Sequence, residues 1–140
     1  MEIAVRYFTK TGNTKKLADA IASAVGVTAQ EVSVPLEGKV DVVFLGSSVY
    51  AAGVDGAVRE FVEKNAKNIG CIIGFSTAAI LRSTYNQVKK IAEANDVDMA
   101  TEEFHCRGSF SVMHRNRPNA DDLQKAVSFA KNVINNFKVK

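Results

Sequence analysis

The sequence predicts an α/β protein, a three-layer, doubly wound, five-stranded parallel sheet in one domain covering residues 1–140. Continuous apolar runs such as Val42-Val43-Phe44-Leu45 and Ile72-Ile73-Gly74-Phe75 have the pattern of parallel strands covered on both faces. Segments with apolar residues at helical spacing alternate with these runs, which implies right-handed crossovers between parallel strands. A chain of 140 residues that is 46% hydrophobic is near the usual domain size, can bury a sizeable core, and has no linker interrupting it.

Strands are expected at 2–8, more weakly at 29–34, then at 40–47, 70–76 and 99–106, and helices at 13–25, 55–66, 83–95 and 120–137. Met1 to Phe8 reads as a buried strand, and Leu17, Ala18, Ile21, Ala22 and Val25 then recur at helical spacing. Val58, Phe61 and Val62 mark the second helix. The last helix carries Leu123, Ala126, Val127, Ala130, Ile134 and Phe137 on one face. Asn119 is its expected N-cap, preceded by Pro118, with Asp121 and Asp122 in the first turn.

Several function classes are disfavoured. The longest apolar stretch, from Cys71 to Leu81, is broken by Gly74, Ser76 and Thr77 and is too short to span a bilayer. The chain opens on a strand with no charged and apolar leader, so a cytoplasmic location is expected. Cys71 and Cys106 form neither a Cys-x-x-Cys pair nor a metal-ligand cluster. The Cys-to-Arg spacing of small tyrosine phosphatases lands on Thr77 from Cys71 and on Val112 from Cys106, so that chemistry is unsupported. No catalytic side chain and no metal ligand is expected, and no nucleic-acid partner.

The most informative stretch is Thr9-Lys10-Thr11-Gly12-Asn13-Thr14, between the first strand and the first helix. Unpaired N–H groups and the helix dipole favour an anion there, Gly12 permits a positive φ, and three threonine hydroxyls add donors. A threonine-rich helix cap is the plainer alternative. The nucleoside triphosphate loop Gly-x-x-x-x-Gly-Lys-Ser/Thr and the dinucleotide fingerprint Gly-x-Gly-x-x-Gly are both missing.

Thr-x-Thr-Gly-x-Thr directly after a first strand resembles the FMN-phosphate loop of flavodoxins. That resemblance implies the strand order 2-1-3-4-5, with FMN at the switch between strands one and three, flavodoxins being a standing example of the switch rule. It also extends to later loops. Gly46-Ser47-Ser48-Val49-Tyr50-Ala51-Ala52-Gly53 looks like the flavin-flanking loop, with Tyr50 either stacking on the ring or anchoring the loop on the next helix. Ser76, Thr77 and Ala78 are placed at the polar edge of the flavin, although Ser76 and Thr77 serve equally as helix caps. Phe104-His105-Cys106-Arg107-Gly108 resembles the Phe-x-Cys-x-Gly pattern of small flavodoxin-like proteins, so Cys106, Arg107 and Gly108 are expected to close the remaining side. The missing insertion that marks long-chain flavodoxins puts the chain with the short-chain group.

The resemblance therefore implies an FMN-binding electron-transfer protein whose partners are redox proteins. Two features depart from the family. Flavodoxins are typically acidic, whereas this chain has net charge +3, with Arg82, Arg107, His114, Arg115 and Arg117 in or near the expected site and Asp55 the main nearby acid. Clustered there, such charges would steer an anionic partner or substrate. Ala51-Ala52 also follows Tyr50 where a glycine usually lets a peptide flip beside the ring, at a cost of about 1 kcal/mol or more for another residue. Both departures favour the alternative, an FMN-dependent oxidoreductase acting on a quinone or another aromatic or anionic substrate, similar to menaquinone-dependent protoporphyrinogen oxidase. A regulatory domain that keeps the fold without a cofactor is a third alternative.

Overall fold

The computed structural model describes residues 1–10, 12–49, 56–78, 84–108 and 117–139. Their elements are β1 (Ile3–Tyr7), α1 (Asn13–Val25), β2 (Ala29–Glu31), β3 (Val42–Val49), α2 (Gly56–Asn65), a 3-10 turn at Ala66–Asn68, β4 (Cys71–Ala78), α3 (Tyr85–Ala94), β5 (Asp98–Arg107) and α4 (Ala120–Val139). The strand pairings are parallel and the sheet order is β2-β1-β3-β4-β5, as expected. Among the described residues, no helix is long and apolar enough to cross a membrane.

Side chains alternate along a strand, and here both faces are covered. Val42 and Phe44 point into a layer with Val5, Ile73 and Phe75, sealed by Leu17 and Ile21 of α1 and Ala126 and Ala130 of α4. Val43 and Leu45 point the other way, onto Ile72 and onto Phe61, Val88 and Ile91 of α2 and α3. All four consecutive residues are 0% exposed, which is why the strand reads as an unbroken apolar run. Gly46 follows them because the ring of Phe75 occupies its side-chain space. A Cβ at Gly46 would lie 2.2 Å from Cε2 of that ring.

β2 stops sooner than expected. The Val32 N–H still bonds the Tyr7 carbonyl at 2.9 Å, but the Val34 N–H turns back to Glu31 at 3.0 Å, so residues 32–41 cross to β3 without a helix. Arg6, buried in the middle of β1, holds that crossover down. Its Nε donates to the Val34 carbonyl at 2.9 Å and its Nη2 to the Pro35 carbonyl at 3.2 Å. Burial pushes the Arg6 pKa down, and Glu37 pulls it back. From α2, Asn65 accepts from the Leu36 N–H through Oδ1 at 3.0 Å and donates to the Phe61 carbonyl through Nδ2 at 2.8 Å. With no helix over this corner, a cleft of about 370 Å³ remains between the crossover and α2, walled by Phe8, Val32, Pro35, Ala57 and Phe61.

β5 lies at the sheet's end and carries an irregularity. Ile72 faces Met99 but Gly74 faces Glu103, so β5 spends four residues where β4 spends two. A bulge of this kind twists an edge strand and discourages further pairing. α4 begins as expected on Asn119, whose Oδ1 accepts from the Asp122 N–H at 3.0 Å while the Asn119 N–H donates to Asp122 Oδ2 at 2.8 Å. This reciprocal pair is a capping box with aspartate in the third position.

The Gly46 geometry makes a prediction. Gly46→Ala is expected to lower unfolding free energy by about 1–3 kcal/mol, the usual cost of overpacking, seen as a reduced urea midpoint with an unchanged slope. A variant as stable as the parent would show that the Phe75 ring can move aside.

Candidate functional site

β1 ends at Tyr7 and α1 starts at Asn13, with β1 lying between β2 and β3 in the sheet. The winding reverses at β1, and the crevice of such a sheet opens at the carboxyl ends of these strands. Gly12 is the N-cap of α1, with φ +90° and ψ −6°. A Cβ there would meet nothing within 4 Å, so the left-handed backbone, not crowding, calls for glycine. The Gly12 N–H donates to Thr9 Oγ1 at 2.9 Å, which does not use the hydroxyl's own proton. Having no side chain, Gly12 cannot cap the first turn of α1, whose dipole still favours an anion.

Behind the loop lies a cluster of three buried hydroxyls. Thr14 Oγ1 is 2.6 Å from Ser48 Oγ and 2.9 Å from Thr77 Oγ1, and Ser48 Oγ is 3.3 Å from Thr77 Oγ1. Ser48 and Thr77 are register partners on β3 and β4, so adjacent strand ends and the first turn of α1 meet at one point. Gly108 closes the other side. A Cβ on Gly108 would lie 3.0 Å from Thr77 Cβ and 3.1 Å from Asn13 Nδ2, a close approach that brings the residue after β5 against the start of α1. The cradle offers a left-handed glycine, a close-packed glycine and neutral hydroxyl donors, and among the described residues it contains no buried carboxylate. These groups fit a phosphate monoester.

The structure thus brings together Gly12, Asn13, Thr14, Ser48, Thr77 and Gly108, with Thr9 in the same loop and Lys10 exposed beside it. Val49, Ala78 and Arg107 end β3, β4 and β5. Thr11, Tyr50, Ala51, Ala52 and Gly53 lie outside the described residues, as do Arg82, His114, Arg115 and Asp55. Ser76 stands apart from Thr77, on the opposite face of β4, with its hydroxyl buried and unpartnered. The sequence reading included Ser47 only as part of the Gly46–Gly53 string and passed over Thr84. Ser47 Oγ donates to Thr84 Oγ1 at 2.8 Å on that opposite face. The signal for them was the doublets Ser47-Ser48 and Ser76-Thr77, since adjacent polar residues on a doubly covered strand must serve both faces.

Cys106 in β5 and Arg117 before α4 are electrostatically linked through Asp122. Burial first, and Asp122 second, push the Cys106 thiol up to about 12, with Arg117 pulling it down, so the thiol stays protonated at neutral pH. Arg117 was counted among the basic groups near the site, but its guanidinium is engaged by Asp122, with Nη2 2.7 Å from Oδ1 and Nε on Oδ2. It braces the start of α4 and is not poised for an anionic substrate.

A doubly wound parallel sheet with an anion cradle at its switch point defines a class of nucleotide-binding α/β proteins. The model of the flavodoxin domain family matches residues 4–101, and the chain belongs to that family. An uncharacterised protein of Methanocaldococcus jannaschii is 27% identical over 137 residues, covering 89% of this chain and 91% of the other. Among solved structures, a flavodoxin from the domain Archaea superposes with a TM-score of 0.80 at 16% identity, covering 99% of both chains. Flavodoxin 1 of Bacillus cereus gives 0.72 at 14% identity, covering 96% of this chain and 98% of its own. The rubredoxin oxygen:oxidoreductase of Desulfovibrio gigas gives 0.72 at 13% identity, but the match takes up 36% of that chain and 98% of this one.

The Arg117–Asp122 contact predicts a pH dependence. Burial pushes the Asp122 carboxyl up, but the Arg117 guanidinium and the Asn119 amide outweigh it and hold the group below its ordinary range. A carboxylate depressed on folding stabilises the fold above its unfolded pKa, about 4, and that contribution is lost as pH falls through the folded value. Asp122→Asn should therefore be less stable than wild type at pH 7, with the two urea midpoints converging on acidification. Parallel curves down to pH 2 would show that the pair contributes nothing.

Proposed function

We propose that this protein binds FMN at the carboxyl end of the sheet and exchanges electrons with redox protein partners. The observation that carries this reading is the convergence of Gly12, Thr14, Ser48, Thr77 and Gly108 at the start of α1. Residues 9–14 would hold the phosphate, with Ser48 and Thr77 supporting Thr14 from the adjacent strands. Tyr50 and its neighbours through Gly53 would flank the ring, and Ser76 to Ala78 and Cys106 to Gly108 would complete its surroundings. Bound FMN supplies the redox chemistry. The chain supplies orientation, neutral hydrogen-bond donors and exclusion of water. Family membership and the fold of the archaeal flavodoxin support the reading.

Net charge +3 favours the second reading, an FMN-dependent oxidoreductase acting on a quinone-like or anionic substrate. The engagement of Arg117 by Asp122 removes one of its supports, and electron transfer comes first. A stepwise reductive titration separates the two. Well-separated one-electron steps favour a shuttle, and a single two-electron step favours an oxidoreductase.

Purified protein is expected to show the visible and near-ultraviolet bands of oxidised flavin, and to release FMN and not FAD on denaturation. Colourless protein that also fails to bind added FMN would refute the proposal. Within the site, Ser48→Ala and Thr77→Val should each weaken FMN about fivefold more than riboflavin, since each removes one neutral hydrogen bond, worth roughly 1 kcal/mol, that holds Thr14 beneath the phosphate. Equal losses for both ligands would place the cluster elsewhere on the flavin.

A further inference from the structure

We propose that Ser47 and Thr84 form a positioning pair for the flavin ring, acting from the face of the sheet opposite the phosphate cluster. The proposal rests on the flavin reading above and adds to it a device that no part of the phosphate loop supplies. Its starting point is strand periodicity. Ser47 pairs with Ser76 and Ser48 with Thr77 across β3 and β4, so two rows of hydroxyls leave the same strand ends toward opposite faces. One row joins Thr14 under the phosphate loop. The other faces the α2 and α3 layer, where Ser47 Oγ donates to Thr84 Oγ1 at 2.8 Å and both residues are buried.

Thr84 is an unusual N-cap. It occupies that position on α3 and has the side chain that ordinarily caps, yet its hydroxyl makes no bond to the helix. It accepts from Ser47 instead, a residue 37 positions away in the chain. The start of α3 is therefore tethered to β3 and not closed locally. Ser47 lies two residues before the end of β3 and three positions ahead of Tyr50 in the sequence, and Thr84 caps α3 six positions after Ala78, the end of β4. One buried hydrogen bond thus ties the end of β3, which leads toward Tyr50, to the start of α3, the helix that follows the Ser76–Ala78 strand end.

The neighbourhood also has unused hydrogen-bonding capacity. Ser76 is fully buried, lies in register beside Ser47, and its hydroxyl has no partner. A hydroxyl at that depth loses its hydration without recompense until a polar atom reaches it. The proton of Thr84 is likewise not used by the bond from Ser47. The pyrimidine edge of a flavin presents both acceptors and a donor, and hydroxyls can answer either.

The test uses the whole chain with Ser47→Ala, Thr84→Val, their combination, and the conservative Thr84→Ser. Affinity for FMN and for riboflavin, the visible circular dichroism of bound flavin, and the thermal unfolding of the flavin-free protein are measured for each. Ser47→Ala and Thr84→Val should each weaken both flavins by the same factor, about fivefold for one neutral buried hydrogen bond. The double variant should be no worse than either single one, the dichroism of the ring should change, and Thr84→Ser should retain wild-type affinity. Coupling seen in thermal unfolding with flavin affinities and dichroism unchanged would make the pair merely structural and overturn the proposal. A larger loss for FMN than for riboflavin would also overturn it, by assigning the pair to the phosphate. Wild-type protein that binds neither flavin would refute the flavin reading itself, and the proposal with it.

Discussion

A parallel sheet covered on both faces leaves few places for polar chemistry, and the molecule is organised around that constraint. Between Val42 and Leu45 there is no exposed face on which a polar side chain could reach water. Backbone groups are taken up by the ladder, and an unpaired hydroxyl or charge in mid-strand would lose its hydration. Polar residues therefore gather where the strands end, at Ser47 and Ser48 on β3 and at Ser76 and Thr77 on β4. The helix starts reach the same level, because each crossover must return over the sheet from that end. A site at the carboxyl ends is the consequence of how the core is closed.

Arg6 is the exception that tests this rule. It sits in a buried strand, and it survives there because the crossover above it has no helix and presents the Val34 and Pro35 carbonyls. A helix in that position would have bonded its own carbonyls and left the guanidinium with only the Val5 carbonyl as acceptor. The charge and the missing helix are therefore two parts of one solution. Arg117 repeats the logic near β5, where its fork meets the Asp122 carboxylate that also caps α4. Both arginines serve architecture, and a net charge of +3 is correspondingly poor evidence about substrates.

How much of this could be read from the sequence follows from what each pattern encodes. The sheet was legible because unbroken apolar runs and helical stripes are local signals, and its order followed from the family resemblance that the Thr9–Thr14 loop carries. The N-cap at Asn119 was legible for the same reason. Faces were not. A strand buried on both sides has lost the alternation that tells one face from the other, so Ser76 and Thr77 read as one patch although they point apart. Pairings across long stretches of chain, such as Ser47 with Thr84 and Arg6 with Val34, leave no periodic trace. The early end of β2 and the slip in β5 depend on the Val34 turn and on the two extra residues after Met99, which propensity does not weigh.

The choice of hydroxyls over cations at the strand ends also has a physical rationale. Buried ions must be paired with good geometry, and a partner removed leaves a charge that distorts its surroundings. Three hydroxyls in mutual contact satisfy one another, since each can donate once and accept more than once. Were an anion to accept a hydrogen bond from Thr14, that hydroxyl could still accept from Ser48 and Thr77 through rotations about C–O bonds. On the proposed reading, a neutral cluster of this kind would favour a phosphate through placement of donors and the dipole of α1, without a buried cation.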